Sequence, residues 1–128
     1  MNDRPPGFTI AVVDDDQRIL ESLQDLLESA DHAVRLFASA TALLDSGCLP
    51  EIDCLISDIG MPGMDGFELL RAVQAARPQL PVILITGHAE LLDQMPSVVL
   101  GQYRLFKKPF HGEELLAAIS DLGSGPVT

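Results

Sequence analysis

The sequence predicts an α/β fold, a five-stranded parallel sheet doubly wound with helices on both faces, and three observations carry that prediction. The apolar runs are short and continuous, as in FTIAVV (8–13) and PVILI (81–85), which is how strands buried on both faces read. The segments between them are amphipathic with a helical period. Strand and helix alternate along the chain, an order that implies right-handed crossovers between parallel strands. At 128 residues the chain has the size of one domain with one well-buried core.

The elements follow in order. FTIAVV is the first strand, and Asp16 stands where it can cap the helix behind it. That helix sets Ile19, Leu20, Leu23, Leu26 and Leu27 on one face and Glu21, Gln24, Asp25 and Glu28 on the other. AVRLF (33–37) is a weaker second strand, 39–44 a short helix, and CLIS (54–57) the third strand. Phe67, Leu69, Leu70, Val73 and Ala76 repeat the helical pattern until Arg77 and Pro78 stop it. After PVILI, the segment HAELLDQMPSVVLG (88–101) should hold the fourth helix. Pro96 falls inside it, removes a donor and clashes with the preceding turn, so a kinked or truncated helix is expected. Residues 103–106 make the fifth strand. EELLAAISDL (113–122), opened by acids and closed by Gly123, is the last helix. The expected organisation is a folded unit over 8–122 between a flexible tail at 1–7 and a flexible tail or linker start at 123–128.

A formal net charge of −11 argues against direct binding to nucleic acid or to an anionic membrane, since both need clustered Lys and Arg. Cys48 and Cys54 form no CxxC pair and have no neighbouring His, so they read as two reduced thiols, with Cys54 buried in a strand. No apolar stretch approaches the ~18 residues of a membrane span, and MNDRPPGF has no apolar leader core. The expected location is the cytoplasm.

The chemistry gathers at the carboxyl ends of the strands. In LISDIGMPGMDG (55–66) an apolar strand runs into Asp58 and then breaks at Gly60, Pro62, Gly63 and Gly66, which presents the carboxylate at the mouth of the sheet. The first strand delivers Asp14, Asp15 and Asp16, the fourth Thr86, and the fifth Lys107, Lys108 and Pro109. Two charges about 4 Å apart repel by roughly 1 kcal/mol in water and roughly 4 at an effective dielectric of 20. Converging carboxylates therefore need a cation, and Mg²⁺, which takes carboxylates together with a phosphate oxygen, is the natural candidate. Lys108 and the Thr86 hydroxyl would complete a pocket for a phosphoryl group. Alternation along the strand turns Lys107 the other way. Such a pocket either binds a phosphorylated ligand or accepts the phosphoryl group covalently. Asp58, central and opposite the acidic cluster, is the better nucleophile, and Asp14 and Asp15 are the better metal ligands. His32, His88 and His111 read as ordinary solvated residues, and Met61, Met64 and Met95 as loop and packing residues.

VVDDD, LISDIGMPGMDG, ILITGH and KKPF, in this order and spacing, resemble the receiver domain of bacterial two-component response regulators over Thr9 to Leu122. Asp14 and Asp58 lie 44 residues apart, and Thr86 and Lys108 lie 22 apart. The resemblance implies a flavodoxin-like (βα)5 fold and a signalling domain that is not a turnover enzyme. It makes Asp58 the phosphoacceptor, charged by a sensor histidine kinase or histidine phosphotransfer protein. Mg²⁺ would be bound by Asp15, Asp58 and the Gly60 backbone carbonyl directly and by Asp14 mainly through water. Thr86 would be the switch hydroxyl and Lys108 the phosphate contact, its bond to Pro109 cis. ITGH is similar to the subgroup that precedes a helix-turn-helix transcription domain, and the resemblance allows a homodimer through the fourth helix and fifth strand face.

Two departures affect signal transmission. Leu105 stands where the family often has Tyr or Phe, with Tyr103 and Phe106 nearby, and Pro96 lies in the output helix. They keep open a second reading, a receiver-like interaction module that works without phosphorylation. A phosphatase on this sheet would want an acid two residues after the nucleophile, where Gly60 stands. A flavin carrier would want stacking aromatics, which are 5% of the chain.

Overall fold

The computed structural model describes residues 8–61, 63–87, 103–107 and 111–124. They form β1 (Thr9–Val13), α1 (Gln17–Ser29), β2 (Ala33–Phe37), α2 (Ala40–Ser46), a 3₁₀ turn (Leu49–Glu51), β3 (Cys54–Asp58), α3 (Gly66–Ala76), β4 (Val82–Thr86), β5 (Tyr103–Lys107) and α4 (Gly112–Ser124). The strands make one sheet in the order β2-β1-β3-β4-β5, with every pairing parallel. The helix expected over 88–101, with Pro96, lies outside the described residues. So α4 is the helix that the sequence places fifth.

The two-residue period of the strands sorts their side chains into two cores. Ala11, Val13, Leu55, Val82 and Leu84 face α2 and α3, where Leu43, Leu69, Leu70 and Val73 meet them. Ile10, Val12, Cys54, Ile56, Ile83 and Ile85 face Leu20, Leu23 and Leu27 of α1 and Leu115, Ala118 and Ile119 of α4. Burying each Leu, Ile or Val contributes about 1.5–3 kcal/mol, and β3 and β4 are buried at every residue. That is why these strands read as unbroken apolar runs, whereas the edge strand β2, exposed at Ala33 and Arg35, read weakly.

Side chains close the helix ends. Asp16 caps α1 by accepting from the Arg18 N–H, Ser39 caps α2 by accepting from the Ala42 N–H, and Asp65 and Glu68 form a reciprocal capping box on α3. At the far end of α1 the His32 N–H bonds the Leu27 carbonyl and the Asp31 N–H bonds the Glu28 carbonyl. Asp31 takes the left-handed φ of 69° that a Schellman closure requires. Beyond α3, the Arg77 guanidinium donates to the carbonyls of Leu49 and Ile52 at 2.5 and 2.6 Å, fastening the 3₁₀ turn that leads into β3.

Two sequence expectations are corrected. His32 is not a solvated loop residue: its ring stacks on Phe8 with centroids 5.4 Å apart, and Nδ1 accepts the Phe8 N–H at 2.9 Å. Gly123 does not close the last helix, which runs through Ser124 and past the boundary expected at Leu122. Glycine costs a helix about 1 kcal/mol in its interior, too little at the final turn to stop one held by Leu115, Ala118 and Ile119.

Candidate functional site

Register brings the candidate residues to one edge. Val13 lies opposite Ser57, Asp58 opposite Ile85, and Thr86 opposite Lys107. The carboxyl ends of β1, β3, β4 and β5 therefore finish nearly level. The chain leaves β1 for β2 on one side and then crosses to β3 on the other, so the sheet order reverses between β1 and β3. A crevice outside that reversal is where open α/β sheets bind ligands. Asp14 and Asp58 flank it.

The carboxylates of Asp14, Asp15 and Asp58 converge there, each offering an oxygen within 4.8 Å of the others. Asp14 is 2% exposed and Asp58 8%, while Asp15 is exposed. Asp14 Oδ1 accepts the Asp16 N–H at 2.9 Å. Mg²⁺ binds oxygens at 2.0–2.1 Å in an octahedron, which puts opposite ligands about 4 Å apart. Three hard-oxygen donors within 4.8 Å of one another are a little wider than that and would reach a small divalent cation by a small side-chain rotation or with one of them acting through water. Asp16 plays another part: its carboxyl is held below the ordinary value by the backbone N–H and then the side chain of Arg18, as a helix cap.

The backbone around Asp58 is pinned. The Ile59 N–H donates to the Ile85 carbonyl at 2.9 Å, and the Ile59 carbonyl accepts from both Met61 and Gly66 at 3.0 Å. Ser57 Oγ donates to the Asp58 carbonyl at 3.0 Å. Gly66, the first residue of α3, abuts the same place. A Cβ there would lie 2.6 Å from the Asp58 carbonyl oxygen and 2.7 Å from the Ile59 Cα, so only glycine fits. Gly63 turns the loop at φ +77°.

Of the other sequence candidates, Thr86 ends β4 and is 1% exposed, Gly60 is exposed beside Asp58, and Leu105 pairs with Leu84 in the ladder. Lys108 and Pro109 lie outside the described residues, as do Pro62, His88 and Met95. Phe106 packs on the α1–α4 core, while Met61 is buried in the core under α2 and α3, against which Met64 packs. Sequence reasoning passed over Ser57 and the packing role of Gly66. The signal for Ser57 was its hydroxyl inside an otherwise apolar strand, and for Gly66 a glycine at a helix start where a side chain would serve.

A family model for the response regulator receiver domain matches residues 10–120. The transcriptional regulatory protein FixJ of Azorhizobium caulinodans is 36% identical over 115 residues, which is 90% of this chain and 54% of that protein. FixJ of Bradyrhizobium diazoefficiens is 39% identical over 112 residues, 86% of this chain and 54% of its own length. The chain thus spans about half the length of the curated relatives it matches. Among solved structures, a CheY-like response regulator receiver domain protein from Methanospirillum hungatei superposes with a TM-score of 0.82 at 30% identity, covering 92% of this chain and 95% of that one. Fold, sheet order, acidic crevice and the match over 10–120 agree, and this chain belongs to the response regulator receiver domain family.

Proposed function

We propose that the chain is a phosphorylation-controlled signalling domain whose acceptor is Asp58. The observation that carries this reading is the convergence of Asp14, Asp15 and Asp58 at the β1–β3 crevice. The donor is a phosphohistidine on a sensor kinase or phosphotransfer protein in the cytoplasm. A carboxylate oxygen of Asp58 attacks phosphorus, the O–P bond forms as the P–N bond breaks, and the departing imidazole takes up a proton. Asp58 is suited to this because its strand end is fixed by backbone hydrogen bonds at the carboxyl edge of the sheet, where the residue keeps 8% of its surface exposed.

Asp15 and Asp58, with the Gly60 carbonyl, would hold Mg²⁺ directly and Asp14 through water. The Asp14 oxygen already engaged by the Asp16 N–H supports that outer role. When bound, the cation neutralises charge on the phosphoryl oxygens and on the crowded carboxylates. Lys108, directly after β5, supplies the remaining positive charge, and Thr86, ending the neighbouring strand, supplies the hydroxyl that follows the phosphoryl group. Phosphorylation adds about −1.5 to −2 charge and biases a two-state surface that kinase, homodimer and target contacts read. The homodimer surface involves β5 and the segment between β4 and β5.

The test is phosphorylation by a small phosphodonor, read by intact mass with and without Mg²⁺, in the wild type and in Asp58→Asn. One Mg²⁺-dependent phosphoryl adduct that disappears in the variant is expected. An adduct that persists in Asp58→Asn would move the acceptor elsewhere, and no adduct under any condition would refute the phosphoacceptor reading.

A further inference from the structure

The peptide unit that joins Asp58 to Ile59 is held at both of its polar ends. Its N–H donates across the sheet to the Ile85 carbonyl at 2.9 Å, and its carbonyl accepts the Ser57 hydroxyl at 3.0 Å. Ser57 is 0% exposed, on the sheet face turned toward α3, since its β3 neighbours Cys54 and Ile56 point into the opposite core. The N-terminus of α3 closes on the same carbonyl from that face, at Gly66, where a Cβ would come within 2.6 Å of the oxygen. A hydroxyl buried in an apolar strand is costly unless hydrogen-bonded, and an Ala or Val would satisfy packing alone. Two independent features of the sequence, a hydroxyl before the acceptor and a missing side chain eight residues after it, converge on one oxygen.

From this convergence we infer that Ser57 is a positioning residue for the acceptor. This inference rests on the phosphoacceptor reading above. By fixing the rotation of the Asp58–Ile59 peptide, Ser57 sets ψ of Asp58 and φ of Ile59. Those two angles aim the Asp58 carboxylate on one side and the following Gly60 backbone on the other. Without the hydroxyl the peptide keeps its tether to Ile85 but can rock about it. The carboxylate then samples directions away from the incoming phosphorus, and a misplacement of 1 Å costs a reaction up to about 100-fold. Ser57 never touches phosphorus and acts through the backbone alone.

The test compares wild type, Ser57→Ala and Ser57→Thr in three readouts: the rate of phosphoryl-adduct formation from acetyl phosphate with saturating Mg²⁺, Tm, and the backbone amide resonances of Ile59 and Gly60 in the metal-free protein. Ser57→Ala is expected to slow adduct formation about tenfold, to shift both resonances and to move Tm little. Ser57→Thr, which keeps the hydroxyl, is expected to return the rate to within about twofold of wild type. A wild-type rate in Ser57→Ala, or equal losses in Ala and Thr variants that both fold, would overturn the inference. If wild type itself takes no phosphoryl group, the phosphoacceptor reading fails and the inference falls with it. The two amide resonances still decide the pinning: unmoved in Ser57→Ala, they refute it directly.

Discussion

Gly66→Ala pits two physical effects of opposite sign against each other beside Asp58. Alanine is the better helix former by up to about 1 kcal/mol, and Gly66 opens α3 with no left-handed φ to protect. Propensity alone therefore predicts a more stable protein. Packing predicts the reverse, because the new Cβ would lie 2.6 Å from the Asp58 carbonyl oxygen and 2.7 Å from the Ile59 Cα, where ordinary contact begins at 3.4 Å. Restoring that contact means separating α3 from the end of β3 by about 0.8 Å, and overpacking of this kind costs about 1–3 kcal/mol. Both opposing atoms are backbone, in a segment fastened by the Ile85, Met61 and Gly66 hydrogen bonds, so the upper end applies. The net expectation is a loss of about 2 kcal/mol. With an unfolding entropy near 2.1 cal/mol/K per residue, that lowers Tm of a chain this long by about 7 °C. The same displacement moves Asp58, so on the proposed function the rate of phosphoryl-adduct formation should fall by tens of fold. Calorimetric melts and an intact-mass time course measure both. A Tm equal to or above wild type would show that the loop yields freely and that the close approach of α3 does not hold Asp58 in place.

Two further predictions concern groups away from the site. Burial lowers the pKa of His32 from its ordinary value, with Asp31 partly opposing, so the unfolded chain binds its proton more readily. The contribution of His32 is complete above about pH 6.5 and is lost as pH falls through 6.5 toward the lower folded value. Tm should drop more between pH 7.5 and 5.5 in wild type than in His32→Phe, which keeps an aromatic ring against Phe8; equal drops would refute the assignment. The Cys54 thiol, pushed up to about 12 chiefly by burial, should resist iodoacetamide at pH 8 in the native state and react on unfolding, and native labelling at the rate of a free thiol would contradict its buried placement.

The sequence was most legible where one physical cause acted alone. Continuous apolar runs mark β1, β3 and β4 because both faces of those strands are covered, and the acids at the ends of β1 and β3 stand out because nothing in the core would accept them. Asp16 was readable as a cap because its role is local, completed within two residues. What stayed hidden depends on contacts between distant segments. Arg77 looked like a helix terminator and is also a clamp on carbonyls 28 and 25 residues earlier. His32 looked like a loop residue, yet it meets Phe8 across 24 residues. Gly66 looked like turn punctuation, while the reason for it is an oxygen on another element.

The same division bears on how the acidic crevice can exist. Carboxylate oxygens within 4.8 Å of one another repel by at least about 1 kcal/mol per pair in water and about 3.5 at an effective dielectric of 20, and free side chains would relax apart. Asp14 and Asp58 have little room to do so. Each sits at the end of a strand buried between two cores, and the backbone at each strand end is fixed: the Asp14 N–H by the Phe37 carbonyl, the Ile59 N–H by the Ile85 carbonyl. The apolar core therefore holds the acids in an arrangement they would not adopt by themselves. A cation brought into the crevice meets oxygen ligands already gathered, and much of the reorganisation that binding would otherwise require has been completed by folding.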